Sequence, residues 1–342
     1  MEVHIGCGEA TEELKDAVMA KMLDPDDFLP RAWGFFTKYP EWLTFHAKVD
    51  GKFAAVFFAL DMGRGEAFLN GLRTDPSVRR NGVATQMIRG IDVELSKRGF
   101  RCIRMATTSS NIPMMTLCQN KLGMSFTHFL MCQCHSPRDP VLRQSVKAAN
   151  ADKESLWRFI QDSDHFKASG GIMMCGPGRF RELNQTELQI RIQEGQAYYL
   201  GKAEDPDAVA LIGTSPFGPN IILGFLAGRD SASCAAMLDD MRCFVPTDHP
   251  NGPKAAEVFA YQPLGSEACR HALDKTVLPS GEHYYCPRPD SFQCATGWAA
   301  GTLPTGAPTE QPEQLQPSSL RRCQGQQWTV AVALTLALLA TW

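Results

Sequence analysis

The sequence predicts an α/β protein, and three observations carry that prediction. Apolar runs of strand length alternate with helical periodicities over most of the chain. A strand, a loop, a helix and a second strand follow one another between residues 67 and 108. The 342 residues are 44% hydrophobic, enough for a sizeable core and for about two domains. Strand and helix in alternation build a sheet with helices packed on it, not a bundle or a sandwich. The two strands around a crossover helix are expected to be parallel.

Taken in order, Leu14, Ala17, Val18 and Met22 recur at helical spacing from Glu12 to Met22, and Asp24-Pro25 stops that helix. An aromatic stretch, DDFLPRAWGFFTKYPEWL, follows as loop and helix. TFHAKVDG and KFAAVFFALD read as a hairpin whose Asp50-Gly51 suits a two-residue turn. AFLNGLRTD is the next strand, and Val83, Met87, Ile91 and Leu95 then mark an amphipathic helix to Arg98. FRCIRMAT returns as a strand, PMMTLCQNKLG is a short helix closed by Gly123, and SFTHFLMCQC is a strand.

The first domain is thereby placed at 1–135, with a polar, proline-bearing linker at 136–155. A second α/β domain at 156–294 repeats the order: QAYYLGKA, AVALIGT and NIILGFLAG as strands, SASCAAMLDDMR as a helix, AAEVFAYQ as a strand and SEACRHALDKTVL as a helix. Its helix SASCAAMLDDMR is preceded by one arginine and no glycine-rich, doubly basic loop, so it reads as a degenerate copy of the first domain. Residues 295–327 have the composition of a disordered linker. Residues 328–342 are an uncharged apolar tail after Arg321-Arg322. At 1.5 Å per residue that tail covers about 22 Å, less than the roughly 30 Å of a hydrocarbon core, which suggests at most a weak membrane association.

A formal charge of −3 argues against a nucleic-acid partner that needs a broad basic surface. The first residues carry no basic-then-apolar leader, and a cytoplasmic location is expected. The twelve cysteines include no C-x-x-C pair, and Cys132, Cys134 and His135 lack a fourth local ligand, so no metal site is expected.

The segment with the most chemistry is Arg79-Arg80-Asn81-Gly82-Val83-Ala84, where a strand and turn lead into the long helix. Unsatisfied N–H groups and the helix dipole suit a helix start to phosphate. Gly82 lets a pyrophosphate approach, Ala84 keeps the first turn small, and Arg79 and Arg80 add charged donors. The same six residues also read as a solvated basic turn.

Together with the strand AFLNGLRTDP, the following helix, CIRMAT and Asn111 in TSSNIPMMTLCQNKLGM, this stretch resembles the GNAT superfamily of acetyl-CoA-dependent N-acetyltransferases over residues 3 to 134. Its pyrophosphate loop has the form Q/R-x-x-G-x-G/A. DDFLP with Trp33, and GLRTDPSVRRNGVATQMI, are similar to the histidine N-acetyltransferase group, whose members also carry a C-terminal extension. The resemblance implies a GNAT fold, a mixed and strongly twisted sheet flanked by helices, followed by the second, degenerate GNAT-like domain. It implies acetyl-CoA as co-substrate and a small-molecule amine, such as the α-amine of histidine or another amino acid, as acceptor.

Carried across, the resemblance gives Leu72, Arg73 and Thr74 backbone groups for the pantetheine arm. Arg79, Arg80, Asn81, Gly82, Val83 and Ala84 would hold the pyrophosphate, with Asn111 near the thiol end. Asn70 stands where relatives often carry a glutamate base and would order a water instead. Glu66 shares its strand face but lies about 13 Å away at 3.3 Å per residue. The family's tail tyrosine is replaced by Cys118 or Gln119. Cys118 is a candidate acid for the leaving thiolate, or a packing residue. Arg31, Trp33 and Tyr39 are the candidate acceptor residues, or part of a hydrophobic lid. Protein N-termini as acceptors, and a catalytically quiet acyl-CoA-binding module, are the competing functions.

Overall fold

The computed structural model describes residues 2–25, 27–108, 111–135, 144–176, 179–214, 221–242, 257–263, 266, 268 and 291–299; side chains at 130–135, 214, 257, 259, 261 and 291–299 are outside this description. Contacts divide the chain into two units. One holds Met1–Arg104 and Ile112–Ser125, and the other Met105–Asn111 and Phe126–Thr296.

In the first unit the elements are β1 (Val3–Gly8), α1 (Glu12–Lys21), α2 (Leu29–Lys38), β2 (Trp42–Val49), β3 (Lys52–Asp61), β4 (Glu66–Thr74), α3 (Val83–Lys97), the start of β5 (Cys102–Thr108) and α4 (Ile112–Thr116). Strands β1 to β4 pair in chain order, each antiparallel to the last. Asp50 and Gly51 both take positive φ in the two-residue turn between β2 and β3, the backbone that matches strand twist. The N–H groups of Arg101 and Cys102 donate to the Gly65 carbonyl at 2.6 and 3.1 Å. β5 therefore starts beside the start of β4, as a parallel crossover through α3 requires.

The predicted stripe of α3 is the core. Val83, Met87, Ile91 and Leu95 are at most 1% exposed, and Ile88 joins them. Burial of side chains of this size contributes roughly 1.5–3 kcal/mol each. α1 packs on β3 and α2 on β2. Thr11 caps α1 by accepting from Leu14 N–H at 3.2 Å, and Glu12, Glu13 and Lys21 complement its dipole.

The second unit contains β6 (Ser125–His135), β7 (Val146–Lys147), α5 (Lys153–Asp162), α6 (Asp164–Ser169), β8 (Ile172–Gly176), β9 (Arg179–Glu182), α7 (Gln185–Gln193), β10 (Ala197–Lys202), β11 (Asp205–Thr214), β12 (Ile221–Gly228), α8 (Ser231–Arg242) and β13 (Glu257–Pro263), with β14 at Ser291–Ala299. β7, β10, β11 and β12 form an antiparallel run, and β12 pairs with β13 in parallel. This repeats β1-β2-β3-β4, helix and β5, with the β8–β9 hairpin and α7 inserted before β10. The second α/β domain is a copy in topology.

Two boundaries differ from the sequence reading. β7 pairs with β10 (Tyr198 opposite Lys147), so the sheet of the second unit begins inside the stretch read as linker. β6 pairs with β13 through seven residues and groups with the second unit. Five elements not predicted from the sequence, α5, α6, β8, β9 and α7, lie between residues 153 and 193. The helix expected from SEACRHALDKTVL, the linker 295–327 and the tail 328–342 fall largely or wholly outside the described residues, as do the side chains of Cys132, Cys134 and His135. Among the described residues no helix is long and apolar enough to cross a membrane, and no group of His, Cys, Asp or Glu is arranged to hold a metal ion.

Candidate cofactor and acceptor site

The chain leaves β4 through a bulge. Val56 on β3 faces Arg73 and Phe58 faces Asn70, so Gly71 and Leu72 together stand opposite Phe57. Gly71 has φ +75°, and a Cβ there would lie 3.0 Å from the Phe58 ring. Such a bulge takes backbone groups out of the ladder and re-aims them. Leu72 thus sits where the strand's own pairing is interrupted, and Arg73 and Thr74 follow it back in register with Val56 and Ala55.

Past the strand, Asp75 N–H donates to the Ala54 carbonyl at 2.8 Å, and the Asp75 carboxylate accepts from Ser77 N–H and Oγ at 2.8 and 2.7 Å. The Ser77 hydroxyl, more than the nearby cations, holds that carboxyl below its ordinary range. A single turn, Pro76–Val78, leads to Arg79, whose Nε donates to the Thr74 carbonyl at 3.1 Å. Arg80 has φ +68°, a conformation that costs a non-glycine residue of order 1 kcal/mol and that clusters at ligand clamps. Gly82 has φ +79° and serves as the N-cap of α3 without any side-chain cap.

The mouth of α3 is open. Arg79, Arg80, Asn81 and Gly82 are exposed, Ala84 is half-buried, and the nearest atom to a Cβ at Gly82 would be Gln86 Nε2 at 3.8 Å. Among the described residues no acceptor meets the N–H groups of Val83, Ala84 or Thr85. Glycine is needed here for its φ and not for lack of space. Orphan amides, the helix dipole and two arginines make this a place that accepts an anion.

Arg73 has a role the sequence did not disclose. Its guanidinium binds Asp27 through Nε (2.5 Å) and Nη2 (2.7 Å), its Nη1 donates to the Leu72 carbonyl at 2.8 Å, and its Cζ lies 5.2 Å from the Phe28 ring centroid. The Asp27 carboxylate, 3% exposed, also accepts from Leu29 N–H, the first amide of α2, at 2.9 Å. The pair joins residues 46 apart in sequence, so no local pattern marks Asp27. Arg79 leans the same way, with Nη2 4.0 Å from Asp24. The segment before α2 is held by arginines from both ends of the predicted cofactor stretch.

The aromatic stretch becomes α2 and its flanks. Trp33 meets the Phe58 ring edge-on at 5.7 Å, Phe36 stacks on Phe58 at 4.6 Å, and Phe36 meets Trp42 at 4.7 Å. Trp33 is 7% exposed and works chiefly as packing. Phe58 is the cross-strand partner of Asn70, so both point to this one sheet face. The Asn70 amide is half-buried and makes no hydrogen bond to a described residue. Tyr39 is 43% exposed and stacked edge-on with Phe35; Arg31 is exposed on α2.

Glu66 and Cys118 are engaged elsewhere in the first unit, and Asn111 belongs to the second. Glu66, at the start of β4, is buried and ion-paired with Arg104 on β5. Cys118 is fully buried in a π-helical turn, Leu117–Lys121, and burial pushes its thiol up to about 12. Asn111 lies on the Met105–Asn111 segment of the second unit, where its Nδ2 donates to Thr107 Oγ1 at 3.0 Å.

Residues 11–124, one third of the chain, match the acetyltransferase (GNAT) family. No curated protein matches the chain in sequence. Among solved structures, a GCN5-related N-acetyltransferase from Sphaerobacter thermophilus is 10% identical over 88% of this chain and 96% of its own, with a TM-score of 0.49. A putative acetyltransferase from Thermoplasma acidophilum is 12% identical over 86% and 99%, at 0.48. A tandem GNAT protein from the clavulanic acid biosynthesis pathway is 9% identical over 88% and 99%, at 0.45.

Proposed function

We propose, from the premise that residues 11–124 are a GNAT-family acetyltransferase domain, that the chain is an N-acetyltransferase whose acceptor is the α-amine of a free amino acid, histidine among the candidates. Acetyl-CoA is the co-substrate and supplies the acetyl group as a thioester. The observation that carries the reading is the open, uncapped start of α3 immediately after a bulged β4. Amides of Val83, Ala84 and Thr85, with Arg79 and Arg80, bind the pyrophosphate. Backbone groups of Leu72, Arg73 and Thr74 hold the pantetheine arm and, at the bulge, stabilise negative charge developing on the acyl oxygen.

The amine must lose a proton before it attacks, and the unengaged Asn70 amide orders the water that takes it. Glu66 is committed to Arg104 and has no part in that transfer. Cys118 stays protonated in the core and serves as packing. Holding both reactants side by side supplies much of the rate, so no covalent enzyme intermediate is required. Exposed Arg31 gives the acceptor carboxylate a forked partner, and Tyr39 an aromatic wall.

The test uses the full chain with acetyl-CoA and a panel of free amino acids and N-terminal peptides, following released CoA thiol and the acetylated product by mass. Release with free amino acids and not peptides is expected. Release with peptides alone replaces the acceptor. Acetyl-CoA binding without release for any amine points to the quiet acyl-CoA-binding module, a reading favoured by Asn70 at the base position. Absence of acetyl-CoA binding overturns the proposal.

A further inference from the structure

Two arginines stand on β9 of the second unit, and a third stands with a buried carboxylate on α7. Arg179 and Arg181 are two apart on β9 and so share a face, about 6.6 Å apart along the strand. Glu187, on α7, is fully buried with both oxygens engaged. Arg181 Nη1 reaches Oε2 at 3.0 Å, while Arg191 reaches Oε1 through Nε at 2.7 Å and Nη2 at 2.6 Å. Arg191 Nη1 also donates to the Ile212 carbonyl at 3.2 Å. Among the described residues, that leaves Arg179 without an ion pair.

Its guanidinium lies over Gly176, where a Cβ would come within 2.5 Å of Nη2, and no described residue accepts a hydrogen bond from it. The Cys175 thiol donates to the Arg179 carbonyl at 3.4 Å, and burial holds it in its neutral form. Burial, and then the charge of Arg181, also disfavour the charged state of Arg179. A sheltered guanidinium with idle donors beside a second cation is costly unless an anion joins it.

We infer that the second unit holds an oxyanion site at the β8–β9 hairpin, built on Arg179 with Arg181 beside it, which takes the carboxylate or phosphate group of a small molecule. The planar fork of arginine suits both groups and binds either in a bidentate manner. Gly176 lets the guanidinium lie flat against the β8 main chain, where a Cβ would collide with it. The site is independent of the acetyl-transfer reading, because none of its residues belongs to the first unit.

The test measures thermal unfolding of the full chain at constant ionic strength, titrating inorganic phosphate in one arm and acetate or citrate in the other, against chloride. It is run in a Gly82→Asp background so that the start of α3 does not compete for the anion. A saturable rise in Tm in at least one arm is expected, and the arm that saturates at lower concentration identifies the group. Arg179→Met should remove the rise and leave the anion-free Tm equal or higher, because it discards an unbalanced charge. Should Arg179→Met fail to fold, Arg179→Lys keeps the charge without the fork and should weaken binding about tenfold by calorimetry. No saturable rise in either arm, or a rise that survives Arg179→Met or is undiminished in Arg179→Lys, overturns the inference.

Discussion

The starts of α3 and α8 occupy equivalent places in two units of the same topology, and they differ in what fills them. Before α3, Gly82 caps the helix with no side chain, and the first-turn amides face outward. Before α8, Asp230 accepts from Ser233 N–H at 2.8 Å and from Ser233 Oγ at 2.9 Å, and these bonds hold its carboxyl below the ordinary range. An aspartate there supplies its own anion and repels another. The preceding strands differ in the same sense. β4 and β12 each carry one extra residue, at Gly71–Leu72 and at Gly224. The β12 bulge is covered by main chain, since a Cβ at Gly224 would lie 1.8 Å from the Met174 carbonyl. The second unit kept the topology and closed the site twice, once with a charge and once with a strand.

The sharpest way to break this contrast is to give α3 the residue of α8. Gly82→Asp combines an unfavourable φ with a carboxylate at the mouth, and should weaken acetyl-CoA binding by about a hundredfold or more in calorimetry while the circular dichroism spectrum is retained. Unchanged affinity would remove the basis of the cofactor assignment. The converse change, Asp230→Gly, should leave the stoichiometry at one acetyl-CoA per chain because β8 still covers the second bulge; two bound per chain would show that charge alone separates the units.

Asp27→Asn sharpens the comparison on the acceptor side. Loss of the charged pair with Arg73 loosens α2, so kcat/KM for the amine should fall about tenfold with the Kd for acetyl-CoA within about twofold. Equal losses in both would mean that the pair merely holds the strand. Cys118→Ala probes the packing assignment, and a melt lowered by about 1 kcal/mol of stability with kcat little changed is expected. A large drop in kcat would return Cys118 to the chemistry.

The smallest effect concerns pH. Burial, and then Lys48, push His46 below its ordinary value, and its Nδ1 is buried without a partner. A group depressed in the folded state adds stability above its unfolded pKa and loses it as pH falls through the folded one. Melts should therefore weaken below about pH 6.5, and His46→Gln should flatten that part of the profile.

Much of the first unit was legible because its signals are local. The α3 stripe, the Asp50-Gly51 turn and the helix-start chemistry around Gly82 each lie within one or two turns of chain. Elements between 156 and 195 were harder to read: ESLWRFIQD is amphipathic, but the β8–β9 hairpin has strands of five and four residues, too short for periodicity to speak. The roles of Arg73 and Glu66 were not legible at all. Each is fixed by a partner across the fold, Asp27 in one case and Arg104 in the other.

By itself, then, the sequence determined the alternation of elements, the buried face of α3 and the left-handed glycine at its start, since propensity, periodicity and φ are properties of neighbours in the chain. Only the tertiary structure decided which charges are spent on one another and which stay available. Pairing energies depend on distance and burial, and in this fold those bind Arg73 and Glu66 to partners while leaving the first-turn amides of α3 and the guanidinium of Arg179 unpaired among the described residues.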